Sequence, residues 1–283
     1  MKPGIALLHF NKIRLTRRCL DSLLSSDVEP ERIVCLDNGS QDTVTSELRK
    51  EYTQVQHIKL RDNKGFSGGF NAAVQAVFKA GFNPCVFLTN DTVFRTGADI
   101  LLADALRNNK AGLAAPSIRY LSNPDNIDSI GAFFSPETAS LGHYHDRDLP
   151  VVLNPGVDYI PGTALAITRD AYQVLNGVDE GFHTYWEDVD LSFRAAEADI
   201  RMIRCYESLI EHGVGQTCHK KPFYTTYLFQ RNRLLFCKKH LRGAQLKTAI
   251  QIISKDWQAM YHDKRSKGDQ RRTEFLVDLL SLL

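Results

Sequence analysis

Several features that would classify the chain at a glance are missing from it. Its six cysteines (Cys19, Cys35, Cys85, Cys205, Cys218 and Cys237) lie far apart and form no CxxC pair. That argues against a zinc knuckle or a disulfide framework, and for a reducing, cytoplasmic setting. No uninterrupted apolar run approaches the ~18 residues of a membrane span. The apolar run in the opening MKPGIALLHFNK is too short for a secretory signal and reads as a first strand. The dinucleotide fingerprint GxGxxG and the phosphate-loop ending GK[ST] are both missing, so dinucleotide and P-loop binding are poor readings. Acidic side chains are missing from residues 212–255, where nine Lys or Arg occur: Lys220, Lys221, Arg231, Arg233, Lys238, Lys239, Arg242, Lys247 and Lys255.

The formal net charge is only +2, so the rest of the chain is acidic in excess. Such asymmetry suggests a partner with negative charge, either an anionic membrane surface at the inner face of the membrane or a phosphorylated substrate. A solvated basic helix face explains it equally well. Nucleic-acid binding rests on this stretch alone and is set aside. The 283 residues, 43% hydrophobic and 24% charged, have the balance of a globular protein with a sizeable core, in one large domain or two ordinary ones.

Short apolar runs alternate with helical patterns through the first half. Residues 5–10 (IALLHF), 33–36 (IVCL), 55–60 and 85–88 read as strands. Helical spacing links them at residues 15–24, 43–52 and 72–80, and continues at 98–106. This alternation predicts an α/β fold with a mainly parallel sheet flanked by helices. Ligands then sit beyond the carboxyl ends of the strands. The polar groups at those ends are Asn11, the Asp37-Asn38-Gly39-Ser40 turn, Asn63-Lys64-Gly65, and Thr89-Asn90-Asp91-Thr92. Each alone is an ordinary turn; together they suggest a site. The NKGFSGGFN segment reads as a loop whose Gly65, Gly68 and Gly69 admit close backbone approach to a nucleotide or sugar.

Residues 117–159 lose the alternation and read as irregular strands and loops lining an acceptor side. Within them His143, His145 and Asp146 have strand spacing, though a zinc site would need further ligands. Residues 159–168 read as a glycine-interrupted strand, 202–205 and 209–212 as two short strands, and the part from Pro222 onward as helical. The stretch HTYWEDVDLSFRAAEADI places Glu187, Asp188 and Asp190 at the start of a helical pattern, just after Tyr185 and Trp186. Acids in a first helical turn complement the helix dipole, worth roughly 0.3–1 kcal/mol each, and local evidence favours that simple role. The alternative is a catalytic base in a partly desolvated cleft.

Taken in order, HFN, DNGS, DNKGFSGGFN, FLTNDT, PGTALAITRDAY, GVDEGFHTYWEDVDLSFRA, IEHGVGQT and QRNRLLFCKKH resemble the motifs of family 2 glycosyltransferases of the GT-A fold, especially the rhamnosyltransferase-like branch. The resemblance covers roughly residues 5–240. It implies a GT-A domain over residues 1–218 and a basic helical extension over 219–283. It also implies inverting, single-displacement transfer of a sugar, dTDP- or UDP-linked with rhamnose as one candidate, to a hydroxyl of a cell-surface glycan or lipid-linked acceptor. By the same resemblance Asp188 is the base and Glu187 orients the acceptor or the base, while Asp190 is a structural acid. Asp37 accepts from the nucleobase, with Phe10, Asn11 and Asn63 around base and ribose, and Gly65, Gly69 and Asn90 complete the donor contacts. Asp91 and His212 are the implied ligands of Mg²⁺ or Mn²⁺. Thr89 stands where the family usually has Asp or Asn, leaving one fewer strong ligand. Arg231 and Arg233 are candidates for phosphate contact or for the basic face. The C-terminal helices pack on their own domain, on a second subunit or on a membrane.

Two other classes compete. A sugar nucleotidyltransferase usually carries a glycine-rich loop with a basic residue after its first strand, and LLHFNKIR has no glycine there. A non-catalytic sugar-nucleotide-binding module is favoured only by Thr89, and the Glu187-Asp188 pair argues against it.

Overall fold

The computed structural model describes residues 2–146, 148–213 and 222–283. The first apolar run becomes β1 (Gly4–His9), buried along its whole length as a central parallel strand must be. It pairs in parallel with β2 (Ile33–Asp37) on one side, and β2 pairs in parallel with β3 (Gln56–Lys59). The connections are α1 (Ile13–Leu24), which turns Cys19, Leu20 and Leu23 inward, and α2 (Asp42–Glu51). After α3 (Gly65–Lys79), β4 (Cys85–Thr89) pairs in parallel with β1 on its other side.

Beyond β4 the sheet is mixed. β5 (Thr92–Phe94), α4 (Ala98–Asn109), β6 (Leu113–Tyr120) and β7 (Asn123–Ser129) lead to β8 (Ala132–Ser135), β9 (Ser140–His143) and β10 (Asp158–Tyr159). Then follow β11 (Ala164–Ile167), α5 (Arg169–Leu175), α6 (Glu187–Glu197) and β12 (Met202–His212). The nine-stranded sheet runs β3-β2-β1-β4-β11-β6-β12-β5, with β7 on β6. β11 is antiparallel to both neighbours, β12 is parallel to β6, and β5 is antiparallel to β12. β10, β8 and β9 make a separate three-stranded antiparallel sheet. Three helices end the chain: α7 (Pro222–His240), α8 (Gly243–Ser266) and α9 (Gln270–Leu280). This is the expected α/β architecture with a C-terminal helical extension. The expected boundary at residues 218 and 219 lies outside the described residues, as do Cys218, Lys220 and Lys221.

Two apolar clusters cover the two faces of the large sheet. A third joins Phe134 and Tyr159 to Phe182, Trp186, Val189 and Phe193, and to Phe236, Ile253, Trp257 and Leu276 of the last three helices. The C-terminal helices therefore share one core with the segment that carries the acids.

Local differences from the sequence reading have physical causes. The NKGFSGGFN segment is not a loop followed by a helix at residue 72: α3 already begins at Gly65. Interior glycines disfavour a helix by about 1 kcal/mol each, but here they permit contact. A Cβ on Gly69 would stand 2.7 Å from Leu8 Cδ1 and 2.9 Å from Asn38 Nδ2. Residues 202–212 form one strand and not two, because pairing with β6 continues on both sides of an irregularity between Cys205 and Leu209. At that irregularity Ser208 turns inward and its hydroxyl donates to Ala98 O at 2.9 Å.

Candidate active site

The parallel strands finish together, with His9 opposite Asp37 and Leu8 opposite Thr89. Asp37 is buried; its Oδ1 accepts from the Ser40 N–H at 2.7 Å and its Oδ2 from the Thr45 hydroxyl. Ser40 Oγ accepts from the N–H of exposed Asn11 at 2.8 Å, and Asn11 Oδ1 accepts from the Gln41 N–H at 3.1 Å. The structure thus brings Phe10, Asn11 and Asp37 to one rim. Asn63 Oδ1 accepts from the Gly65 N–H at 2.8 Å. Asn38, to which the sequence reading gave no role, clamps this corner: its Nδ2 donates to Gly65 O at 2.7 Å and its Oδ1 accepts from the Lys64 N–H at 3.0 Å.

At the end of β4 the Thr89 hydroxyl donates to Asp91 Oδ1 at 2.7 Å. Asn90, expected among the donor contacts, is buried and its Nδ2 donates to Thr16 Oγ1 of α1 at 2.9 Å. His212 ends β12, opposite Thr92. Its Nε2 lies 3.6 Å from Asp91 Oδ2 and its Nδ1 3.0 Å from Asp128 Oδ2. Burial alone would lower the imidazole pKa, but the carboxylates of Asp128 and Asp91 outweigh it and raise it to about 9. Asp128 lies in no motif and its partner His212 is 84 residues away, so no sequence pattern marks it.

This donor set suits a hard divalent cation. Without a cation both ring N–H groups face carboxylates; a metal at Asp91 would displace the Nε2 proton and leave Nδ1–H on Asp128, the arrangement in which a carboxylate orients a metal-binding histidine. Among the described residues no group of three His, Cys, Asp or Glu side chains is placed to hold a metal. Asp91 and His212 would thus need oxygens from elsewhere, which is how Mg²⁺ is commonly bound beside phosphates. His143 and His145, considered above as zinc ligands, are placed differently. His145 Nδ1 is 3.1 Å from Ile127 O, and the charge of His143 acts on both Asp128 and Asp188.

The acids at the head of α6 have three different environments. Half-buried Asp188 accepts from the Gly162 N–H at 2.8 Å through Oδ2 and from the Val189 N–H at 2.9 Å through Oδ1. Burial raises its pKa, and the N–H donors and His143 oppose the rise only in part. Glu187 is buried, and its Oε2 has no hydrogen-bond partner. Burial first, and then the charges of Asp188 and Asp190, push its pKa well above the usual carboxylate range. Of the two, Asp188 has the donors that favour its carboxylate, and Glu187 is pushed further toward the neutral form. Asp190 is fully buried and pairs with Arg194 at 2.7 Å, Lys239 at 2.7 Å and His240 at 2.8 Å. Burial would raise its pKa, but these three partners bring it down to about 2. It is a structural acid.

Gly162 and Thr163 tie the two halves of the site together. Gly162 donates to Asp188, and Thr163 O accepts the Thr89 N–H at 3.0 Å. The bases of the C-terminal stretch are less open than the sequence suggested. Arg231 Nη2 donates to Gly181 O and Phe182 O, and buried Arg233 donates to Thr138 O, Ala139 O and Asp256. Lys239 pairs with Asp179 and Asp190.

A curled, mainly parallel sheet with acids at its strand ends and at the head of a following helix defines a GT-A type glycosyltransferase. Residues 5–175 match the profile of Glycosyl transferase family 2, and the chain belongs to that family. It is 23% identical over 248 residues to an N-acetylglucosaminyl-diphospho-decaprenol L-rhamnosyltransferase of Mycobacterium tuberculosis, covering 76% of this chain and 80% of the relative. It is 24% identical over 213 residues to the low-salt glycan biosynthesis hexosyltransferase Agl10 of Haloferax volcanii, covering 71% of this chain and 66% of that one. Solved structures share the fold. A mannosyltransferase from Pyrobaculum calidifontis, in complex with GDP-Man and Mn²⁺, superposes with a TM-score of 0.58 at 14% identity, covering 100% of this chain and 81% of that one. GalNAc-T7, with UDP, GalNAc and Mn²⁺, gives a TM-score of 0.62 at 12% identity, covering 99% of this chain and 54% of that one. The chain is a family 2 glycosyltransferase similar to rhamnosyl- and hexosyltransferases, which sets aside the nucleotidyltransferase and binding-module readings.

Proposed function

We propose that the chain transfers a hexosyl or deoxyhexosyl unit, with rhamnose the leading candidate, from a dTDP- or UDP-linked donor to a hydroxyl of a lipid-linked or cell-surface glycan acceptor. The observation that carries this reading is the backbone step from Gly162 to Thr163, which ties Asp188 to the Thr89–Asp91 corner. Asp188 Oδ removes the proton of the acceptor hydroxyl. The freed oxygen attacks the anomeric carbon, the bond from that carbon to the diphosphate oxygen breaks, and the configuration inverts. Glu187 orients Asp188 or the acceptor. Asp37, Phe10, Asn11 and Asn63 hold the nucleoside, and the start of α3 at Gly65 and Gly69 closes on the donor.

Asp91 and His212 would hold Mg²⁺ or Mn²⁺, which when bound neutralises charge building on the leaving diphosphate. Two solved structures of this fold, one with GDP-Man and Mn²⁺ and one with UDP, GalNAc and Mn²⁺, support this. The deciding experiment is a thermal-shift panel of nucleoside diphosphates with and without Mn²⁺. Stabilisation by dTDP or UDP that grows with Mn²⁺ is expected; no stabilisation by any nucleotide refutes the donor reading.

Residues 219–283 form the extension of the 1–218 catalytic unit in this proposal. Among the described residues no helix is long and apolar enough to cross a membrane, so access to a lipid-linked acceptor would be peripheral, through bases such as Lys247 and Lys255. Co-sedimentation with anionic liposomes should then fall steeply with salt; salt-insensitive or absent binding removes the idea.

A further inference from the structure

The loop before α6 is held in an unfavourable conformation. His183, Tyr185 and Trp186 have φ of 64°, 72° and 73°. None of them is glycine, and left-handed backbone disfavours such residues by roughly 1–2 kcal/mol each. Strain of this kind persists only where the surroundings over-determine it, and it gathers at functional sites. Here the determinant is one side chain of α7. Asn232 is fully buried, and the two N–H groups of its Nδ2 are shared among three carbonyls, Phe182 O at 2.7 Å and Thr184 O and Tyr185 O at 2.8 Å each. Its Oδ1 accepts from Arg231 Nε at 2.9 Å, which fixes the orientation of the amide.

The far side of the same loop touches the start of α3. His183 O accepts from the Ser67 N–H at 3.1 Å, and Thr184 Oγ1 accepts from the Phe66 N–H at 3.2 Å. First-turn N–H groups have no partner inside their own helix, so the loop supplies what α3 lacks. Gly65 is pressed so closely on it that a Cβ would stand 2.4 Å from His183 Nδ1.

We infer that Asn232 is the positioning residue of the site: by holding residues 182–186 it sets the acid-bearing start of α6 and the glycine-bearing start of α3 together. Its catalytic consequence rests on the function proposed above; its structural consequence does not. The C-terminal extension is then part of the machinery that aligns base and donor.

The test uses the full chain and three variants. Asn232→Leu removes the donors at similar volume. Asn232→Asp keeps the shape and the Arg231 contact and puts an acceptor oxygen where the N–H groups faced the loop carbonyls, so its effect is not a loss of core volume. Gln230→Leu is the control: it removes a buried α7–α8 bond to Trp257 Nε1 (2.8 Å) without touching the loop. Hydrogen–deuterium exchange should rise about tenfold or more at both residues 65–69 and 182–189 in the two Asn232 variants, and stay within about twofold in the control. With dTDP-rhamnose and N-acetylglucosaminyl-diphospho-decaprenol as probes, kcat should fall by roughly 10²-fold, as misplacement of about 1 Å can cause. The donor KM should rise, and the acid limb of the kcat profile should move up as Asp188 loses its N–H partners.

Unchanged exchange at 65–69 overturns the inference. So does a fall in kcat with KM and acid limb unchanged, which is the signature of a smaller folded fraction alone. Wild-type protein that turns over neither probe counts against the proposed substrates, while the exchange measurement still decides the role of Asn232.

Discussion

Gly162 donates its backbone N–H to Asp188 Oδ2 at 2.8 Å, while the carbonyl of the next residue, Thr163, accepts the backbone N–H of Thr89 at 3.0 Å. The Thr89 hydroxyl donates to Asp91 Oδ1 at 2.7 Å. Proposed base and proposed metal ligand are therefore set against each other by two consecutive residues between β10 and β11. Thr89, where the family resemblance leads to Asp or Asn, acts as the hydrogen-bonding link in this chain.

The first prediction concerns Asp188→Asn. The variant keeps the shape and removes the proton acceptor, so kcat should fall on the order of 10²–10⁴-fold with donor affinity little changed. In the wild type, burial raises the pKa of Asp188 above the ordinary 3.8. The active form is the deprotonated one, so activity is lost as pH falls through that raised value. A kcat–pH profile whose acid limb lies at or below 3.8, or full turnover by the variant, removes Asp188 as the base.

Asp128→Asn tests the orientation of His212. The Asp128 carboxylate, 3.0 Å from His212 Nδ1, keeps Nε2 directed at Asp91. Loss of such a partner typically weakens metal binding 10–100-fold. The Mn²⁺ concentration needed for half-maximal stabilisation by UDP or dTDP should rise by about that factor, and Asp91→Ala should abolish the dependence on Mn²⁺ altogether. An unchanged Mn²⁺ requirement in both variants means the cation binds elsewhere.

Much of this site was legible in the sequence, for a specific reason. Strands β1 to β4 are parallel and buried, so their apolar runs are unbroken, and the turn residues after them fall on one edge. That pattern puts Asp37, Asn63, Gly65 and Asp91 at this edge, where the structure has them. No such pattern marks Asp128, Gly162 and Asn232, because their roles depend on distant partners: His212, Asp188 and the carbonyls of residues 182–185. QRNR stood out for its arginines, yet the buried asparagine between them holds the loop. The start of α3 was misread because glycine usually argues against helix, and only the closeness of Leu8 and Asn38 reverses that preference.

Gly65→Ala isolates the contact between α3 and the loop. Gly65 has φ +71°, and an added Cβ would meet His183 Nδ1 and O, each at 2.4 Å. Gly81 has φ +93° with nothing within 4 Å, so Gly81→Ala carries the backbone strain alone. Strain of about 1–2 kcal/mol should appear in both variants; the clash appears only in the first. Gly65→Ala should therefore lower Tm by several degrees more than Gly81→Ala, at roughly 2–4 °C per kcal/mol, and weaken nucleotide binding. Equal Tm values for the two variants would show that the loop yields to a side chain.

Asp190 gives the last prediction. Its pKa, about 2 in the folded chain against an ordinary 3.8, is depressed by His240, Arg194 and Lys239 in spite of burial. A depressed carboxylate contributes stability that is fully present above its unfolded value and is lost as pH falls toward the folded one. Nearly two pKa units correspond to roughly 2 kcal/mol, lost between about pH 4 and pH 2. Asp190→Asn leaves three bases facing a neutral amide in a buried site, and removing one partner of a buried pair typically destabilises by about 3–5 kcal/mol. Urea unfolding at pH 7 should show a deficit of that size in the variant. The deficit should narrow as pH falls through the same window, because the wild type alone loses this contribution. A gap that stays constant down to pH 2 would mean that Asp190 stabilises the fold through shape and not through charge.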